Sequence, residues 1–241
     1  MRRLRLTLAA ILAMLIATPA LADQPTDALY AALSERLSEM RDVAAWKWLN
    51  DRPVEDREGE AVVINAAADS ALQQQIQPES AARFFRVQIE AAKDIQRYWF
   101  ERWREDSPPR SAPDLATELR PRLLLLGEEI TRLMGGSMAH DPAAFSAALQ
   151  IPGLGAERIS MLYDSLRQVQ RFDSRLQQIL VTGTLRVGTT GDYAPFSIDN
   201  TDAEAAEPDF QGIDIELARD LARSLGVELE LVQTSWPTLT E

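Results

Sequence analysis

Two cationic side chains occupy positions that helical spacing would turn toward a hydrophobic interior. Arg36 and Lys47 are eleven residues apart, about three helical turns, so one helix would carry both on nearly the same face. Arg36 directly precedes Leu37 of an apolar stripe, and Lys47 lies between Trp46 and Trp48. Buried together, the two cations would have a functional role. If both side chains instead extend to water, as most such residues do, they have no such role.

Gln96 interrupts a second apolar stripe. The stripe recurs at near-heptad spacing and consists of Phe85, Ile89, Ala92, Gln96, Trp99 and Trp103. A buried amide needs hydrogen-bond partners, because leaving it unsatisfied costs about 1–3 kcal/mol. Gln96 is therefore either a polar group placed inside for a purpose or a residue at the edge of the stripe that faces water.

The sequence offers little support for other chemistries. His140 is the only histidine and lies at a turn between helices, where we expect a solvated side chain. The chain contains no cysteine, which excludes disulfides and thiolate metal sites. It also shows no metal-ligand spacing and no glycine-rich phosphate loop.

The residues that could do chemistry belong to a segment with helical periodicity throughout, residues 26–180. In the first helix, Leu29, Leu33, Leu37, Met40 and Ala44 form one face, and the helix ends before Pro53. The other predicted helices run from an N-cap at Asp56 to about Gln75, from Pro78 to about Arg104, from Leu115 to Leu133, from Asp141 to Leu149, and from Ile159 to about Leu180. This pattern predicts an all-α bundle.

The pattern changes after Gly183. Residues 185–189 and 227–232 are predicted strands, and an amphipathic helix lies between Gly212 and Gly226, with Ile215, Leu217, Leu221 and Leu225 apolar. A strand, a helix and a second strand in this order predict a parallel βαβ unit. A unit of this size buries little apolar surface by itself.

The first residues have the features of an export signal. Arg2, Arg3 and Arg5 precede an uncharged apolar run, and residues 20–22 read Ala-Leu-Ala, a signal peptidase site. We therefore expect cleavage after Ala22. An uncleaved membrane anchor is the alternative, although the run is short for a bilayer. Export without cysteines suits a bacterial periplasm.

The charge of the chain excludes two classes of partner. The net charge is −12, and removing a leader with three arginines and no acidic residue leaves −15. Such an acidic protein is unsuited to nucleic acid or to anionic lipid, so after cleavage we expect no membrane association.

Several motifs in the helical part resemble the secreted, gamma-class chorismate mutases. They are VAAWKW at 43–48, PVED at 53–56 and QIEAAKDIQ at 88–96, in that order. The resemblance covers about residues 31–180 and implies an all-α chorismate mutase bundle. It implies conversion of chorismate to prephenate, an intramolecular Claisen rearrangement that needs no metal or cofactor, as a step toward phenylalanine and tyrosine. It also implies a homodimer with each site inside one chain.

The resemblance assigns roles to five residues. Arg36 and Arg120 match arginines that bind substrate carboxylates, and Asp56 matches an aspartate at the rim of the site. Lys47 and Gln96 match the catalytic residues that face the ether oxygen, where negative charge develops in the transition state.

Two positions depart from the family pattern. An arginine is usual three residues after the aspartate of PVED, and a glutamine is usual four residues later. This sequence has Gly59 and Val63 there. Arg57 would point away from the site on the same helix. Losing a charge-assisted donor could lower the rate by two or more decades, so we expect weakened mutase activity and hold a chorismate-binding module without catalysis as the alternative.

The C-terminal part resembles another exported family. LRVGTTGDYAPFS at 185–197 and GIDIELARDLARSLGVELELV at 212–232 are similar to the start of periplasmic cyclohexadienyl dehydratases, which belong to the solute-binding proteins. The sequence therefore predicts a signal peptide at 1–22, a mutase domain at 23–182 and a truncated binding-protein fragment at 183–241. We expect neither dehydratase activity nor solute capture from this fragment. We therefore interpret the fragment as the remnant of a fusion between a mutase and a dehydratase.

Overall fold

The computed structural model describes residues 25–136, 140–200 and 209–238. The predicted leader and its cleavage site lie outside these residues. Within the described part of the chain, no helix is long and apolar enough to cross a membrane.

The first apolar stripe forms two consecutive helices rather than the one predicted. Helix α1 covers Pro25–Ser38 and α2 covers Met40–Leu49, with a turn at Glu39 between them. Glu39 keeps right-handed helical dihedral angles, φ −59° and ψ −17°, so the helical spacing continues across the turn. All five residues of the predicted stripe are consequently buried.

Helices α3 and α4 begin where their capping residues predict. Helix α3 covers Arg57–Gln73, and the Asp56 side chain accepts a hydrogen bond from the backbone N–H of Gly59 at 3.0 Å. Helix α4 covers Pro78–Glu105 with Pro78 in its first turn. The most buried face of α4 is rotated away from the predicted apolar stripe. Ile89, Ala92 and Trp99 are only half-buried, and the fully buried positions include Phe84, Gln88, Ala91 and Ile95.

The fourth predicted helix starts with a wider turn. Residues Leu115–Leu119 form a π-helical turn, capped by Asp114, which accepts from the backbone N–H groups of Ala116 and Thr117. Helix α5 continues as Arg120–Met134, and Gly135 follows it as predicted. The short helix α6 covers Pro142–Ala148.

The last segment was predicted as one continuous helix, and this prediction was wrong because the structure has two helices there. Helix α7 covers Ala156–Arg167 and α8 covers Arg175–Thr182. The chain between them pairs with the turn after α3, where Gln77 N–H donates to Gln170 O and Phe172 N–H donates to Gln75 O, both at 2.8 Å. These backbone bonds between distant segments offset the helical bonds that the interruption removes.

The hydrophobic core of the helical part lies where α4 packs against α2, α3 and α7 and where α1 packs against α5. Its largest fully buried side chains include Phe84, Phe85, Phe145, Leu29 and Leu33. Helix α4 is therefore the central support of this part, and α1, α2, α3 and α5 surround the side on which the site lies.

The C-terminal part confirms the βαβ prediction and adds a small sheet. Strands β1 (Thr184–Thr189) and β5 (Glu228–Gln233) pair in parallel, and helix α9 (Ile213–Leu225) connects them. The short strands β2 (Asp192–Tyr193), β3 (Ser197–Asp199) and β4 (Phe210–Gln211) form an antiparallel sheet that the periodicity did not indicate.

Helix α9 buries only part of its apolar surface. Ile215, Ala218 and Ala222 are buried, whereas Leu217 is 62% exposed and Leu221 is 50% exposed. The exposure of both leucines agrees with the expectation that a unit of this size buries little apolar surface. Two paired strands form a narrow sheet, which covers only the side of the helix that carries Ile215.

Candidate active site

A cavity of about 600 Å³ opens between α1, α2, α3 and α5, a volume within the range of small-ligand sites. One part of its wall is apolar and comes from α3, α4 and α5. The other part carries charge. The charged lining residues are Arg36, Lys47, Arg52, Arg120, Glu55, Asp56, Glu58 and Glu128. The sequence predicted Arg36, Lys47, Asp56 and Arg120 for one site, and the fold brings these four to one cavity.

Arg36 lies on the inner wall and is 8% exposed. Its Nη1 donates to the backbone carbonyl of Leu123 in α5 at 2.8 Å, and it makes no ion pair within the described residues. Burial lowers the pKa of Arg36 to about 10, so the guanidinium stays protonated at neutral pH. A buried guanidinium without a carboxylate partner favours an anionic ligand in the cavity.

Lys47 reaches the same cavity from α2 and is 7% exposed. Its Nζ donates to the backbone carbonyl of Val54 at 2.5 Å. Burial lowers the pKa of Lys47, while the nearby carboxylates of Asp56, Glu60 and Glu55 oppose that shift. Neither Lys47 nor Arg36 extends to solvent, so that alternative for the two cations was wrong.

Asp56 connects the start of α3 to the rim of the cavity. One carboxylate oxygen caps Gly59, and the other lies 3.7 Å from Nη2 of Arg120 in α5. Both side chains of this pair are substantially exposed, so we assign it less than about 1 kcal/mol. Asp56 therefore helps to form the helix and also offsets part of the Arg120 charge.

The two unusual positions also lie on the cavity wall. Gly59 and Val63 both line it. A Cβ atom at position 59 would lie 2.5 Å from Oδ2 of Asp56. In this chain the capping carboxylate thus occupies the space that a side chain at position 59 needs.

Gln96 is buried but does not line the cavity. It is 4% exposed, so the interpretation that it faces water was wrong. Its Nε2 donates to the sulfur of Met40 at 3.7 Å, and its Oε1 is buried without a hydrogen-bond partner among the described residues. The four other predicted site residues meet at the cavity, whereas the role of Gln96 in facing the substrate stays a prediction.

Two further residues were missed or misjudged from the sequence. Arg52 lines the cavity, and its closeness to Lys47 and to Pro53 was the only available signal. His140, expected to be solvated, stacks on Tyr30 at 6.4 Å between ring centroids, and burial lowers its pKa. Tyr30 was an unremarkable neighbour of the first stripe, so sequence spacing could not reveal this contact.

Comparisons with known proteins agree with this geometry. The family model described as chorismate mutase type II matches residues 22–97. The monofunctional chorismate mutase of Enterobacter agglomerans is 32% identical over 151 residues, which cover 59% of this chain and 82% of that protein. The crystal structure of the secreted chorismate mutase of Yersinia pestis superposes with a TM-score of 0.57 at 27% identity, covering 60% of this chain and 97% of the other.

The C-terminal part matches a different family. The model for bacterial extracellular solute-binding proteins, family 3, matches residues 185–241. The cyclohexadienyl dehydratase of Pseudomonas aeruginosa is 48% identical over 71 residues, which cover 30% of this chain. The chain spans about a quarter of that dehydratase's length, 25%.

The helical bundle holds a cavity of small-ligand size into which two buried cations, Arg36 and Lys47, reach. The chain belongs to the chorismate mutase family, and it carries in addition a partial segment of the solute-binding family.

Proposed function

We propose that the helical part converts chorismate to prephenate by an intramolecular rearrangement. The observation that carries the proposal is the pair of buried cations, Arg36 and Lys47, which reach one cavity from two helices. Chorismate is a small dianion, and a site for it needs cations for the carboxylates and a donor for the ether oxygen. The reaction requires no covalent intermediate and no cofactor, so positioning and electrostatics supply the catalysis.

Each side chain then has a defined task. Arg36 binds a carboxylate at the inner wall, where its fixed bond to the Leu123 carbonyl orients the guanidinium. Lys47 directs its ammonium group toward the ether oxygen, and its proton stabilises the negative charge that develops there. Arg120 binds at the rim beside Asp56. Gln96 assists at the ether oxygen once its amide leaves the sulfur of Met40.

A second candidate function is binding of chorismate-like dianions without turnover. Gly59 and Val63 favour it, because both lie on the cavity wall and neither provides a hydrogen-bonding side chain. The carboxylate of Asp56 beside Gly59 adds negative charge at that point of the wall.

Prephenate formation by the purified chain, freed of residues 1–22, tests the two candidates. Turnover that disappears in Lys47→Ala supports the mutase. Binding of a bicyclic dicarboxylate transition-state analogue without turnover supports the binding module. Absence of both turnover and binding would exclude both candidates.

We propose further that the protein acts outside the cytoplasm, in the periplasm, after cleavage following Ala22. The leader pattern and the name of the secreted relative from Yersinia pestis support this location. Mass determination of the mature N-terminus tests the cleavage site.

We also propose that the mature chain forms a homodimer and divides near residue 183 into a mutase domain and an α/β segment. Helix α8 ends at Thr182 and strand β1 begins at Thr184, which supports the division. Light scattering gives the oligomeric state. The α/β segment by itself should not dehydrate prephenate, and incubation with prephenate tests this.

A further inference from the structure

Arg52 differs from the other cations of the cavity because its side chain has no partner among the described residues. The Arg36 side chain donates to a backbone carbonyl, as does that of Lys47, and Arg120 lies beside Asp56. The Arg52 guanidinium makes no hydrogen bond or ion pair with any described residue, although it lines the cavity. Its charge is therefore available to a ligand.

The backbone holds Arg52 in a fixed relation to Lys47. Asp51 has a left-handed φ of +50°, which turns the chain back so that the Arg52 N–H donates to the carbonyl of Lys47 at 2.8 Å. Two residues later, the carbonyl of Val54 accepts from the Lys47 ammonium group. Lys47 thus binds the loop on both sides of Pro53, and the loop places Arg52 at the opening.

The two ends of the cavity then match the two charges of the substrate. Arg36 is buried at the inner wall, and Arg52 is exposed at the mouth. The other exposed cation of the cavity, Arg120, has part of its charge offset by Asp56 at 3.7 Å. A ligand with two carboxylates therefore meets, at the inner wall and at the mouth, a guanidinium that has no carboxylate partner among the described residues.

We propose that Arg52 is a substrate-binding residue that holds the outer carboxylate of the dianion. The inference rests on the proposed mutase function. Arg52 contributes to binding rather than to the rearrangement itself, because it acts on a carboxylate that keeps its charge throughout the reaction.

The test compares Arg52→Gln with Arg57→Gln. Both variants remove one exposed arginine, but Arg57 lies at the start of α3 and does not line the cavity. Losing one charge-assisted hydrogen bond should raise the KM for chorismate about tenfold in Arg52→Gln, with a smaller change in kcat. Arg57→Gln should stay within about twofold of the unaltered protein, and Arg52→Lys should recover part of the loss because it keeps the charge but not the planar fork.

Ionic strength provides a second readout. The dependence of kcat/KM on salt should be weaker in Arg52→Gln than in Arg57→Gln, because only the first removes a charge that contacts the substrate. A KM within twofold of the unaltered protein in Arg52→Gln would overturn the role of Arg52 while leaving the mutase function intact. If the unaltered protein turns over no chorismate, the Kd of the bicyclic dicarboxylate analogue replaces KM. Failure to bind that analogue overturns both proposals.

Discussion

Replacing Gly59 with arginine would add a fourth guanidinium to a cavity already lined by Arg36, Arg52 and Arg120. The structure defines what this change must displace. A Cβ atom at position 59 would lie 2.5 Å from Oδ2 and 2.9 Å from Cγ of Asp56. Because the obstacle is a side chain and not the backbone, Asp56 can rotate away, but the rotation breaks its capping bond to the Gly59 N–H.

The stability effect of Gly59→Arg follows from two opposing terms. Loss of an N-cap costs about 1 kcal/mol, and replacing glycine within a helix stabilises by about 1 kcal/mol. The free energy of unfolding should therefore change by less than about 1 kcal/mol. Gly59→Ala is the matched control, because it introduces the same Cβ and displaces Asp56 without adding a charge.

The value of kcat/KM should differ between Gly59→Arg and Gly59→Ala. One donor aimed at developing charge is worth about two to three decades in rate where the site is preorganised. The new arginine must share the wall with a displaced Asp56, so we expect at least about a tenfold rise in kcat/KM for Gly59→Arg over Gly59→Ala. The assay follows the loss of chorismate absorbance at several concentrations. Equal rates in the two variants would refute the reasoning that this wall lacks a cation.

Three further outcomes follow from the structure. Asp56→Ala should lower the free energy of unfolding by about 1–2 kcal/mol through loss of the cap and of a half-exposed ion pair, whereas Asp56→Asn should lose less than half as much, measured by urea unfolding. Mutase activity should decline as pH rises through the pKa of Lys47, which burial sets below that of an exposed lysine. In Asp56→Asn this decline should move to lower pH, because the Asp56 carboxylate raises that pKa, and an unshifted kcat/KM profile would contradict the assignment. Phe145→Ala should destabilise the helical part by about 3–5 kcal/mol, and Leu125→Ala, at a 65% exposed position, by less than about 0.5 kcal/mol in thermal unfolding.

The helices were predictable because their signals are local. The Asp56 cap and Pro78 at a first turn marked α3 and α4, and Gly135 marked the end of α5. Apolar residues at helical spacing marked the segment of α1 and α2, although as one helix. The continuity of the last helix was not predictable. Its interruption depends on backbone bonds between residues 170–172 and the turn after α3, which lie almost a hundred residues apart in the chain.

The sequence by itself determined which residue types could bind a dianion, because Arg36 and Lys47 stand beside apolar helix faces and their order matches a known family. Only the tertiary structure decided that both are buried in one cavity, since that depends on the packing of α1 against α5 and of α2 and α3 against α4. Tertiary structure also decided that the Gln96 amide donates to Met40 and that Arg52 lies at the mouth without an ion-pair partner in the described part of the chain. The physical reason is that spacing fixes the face of a helix on which a side chain stands, whereas its partners and its exposure to water come from distant segments that fold against it.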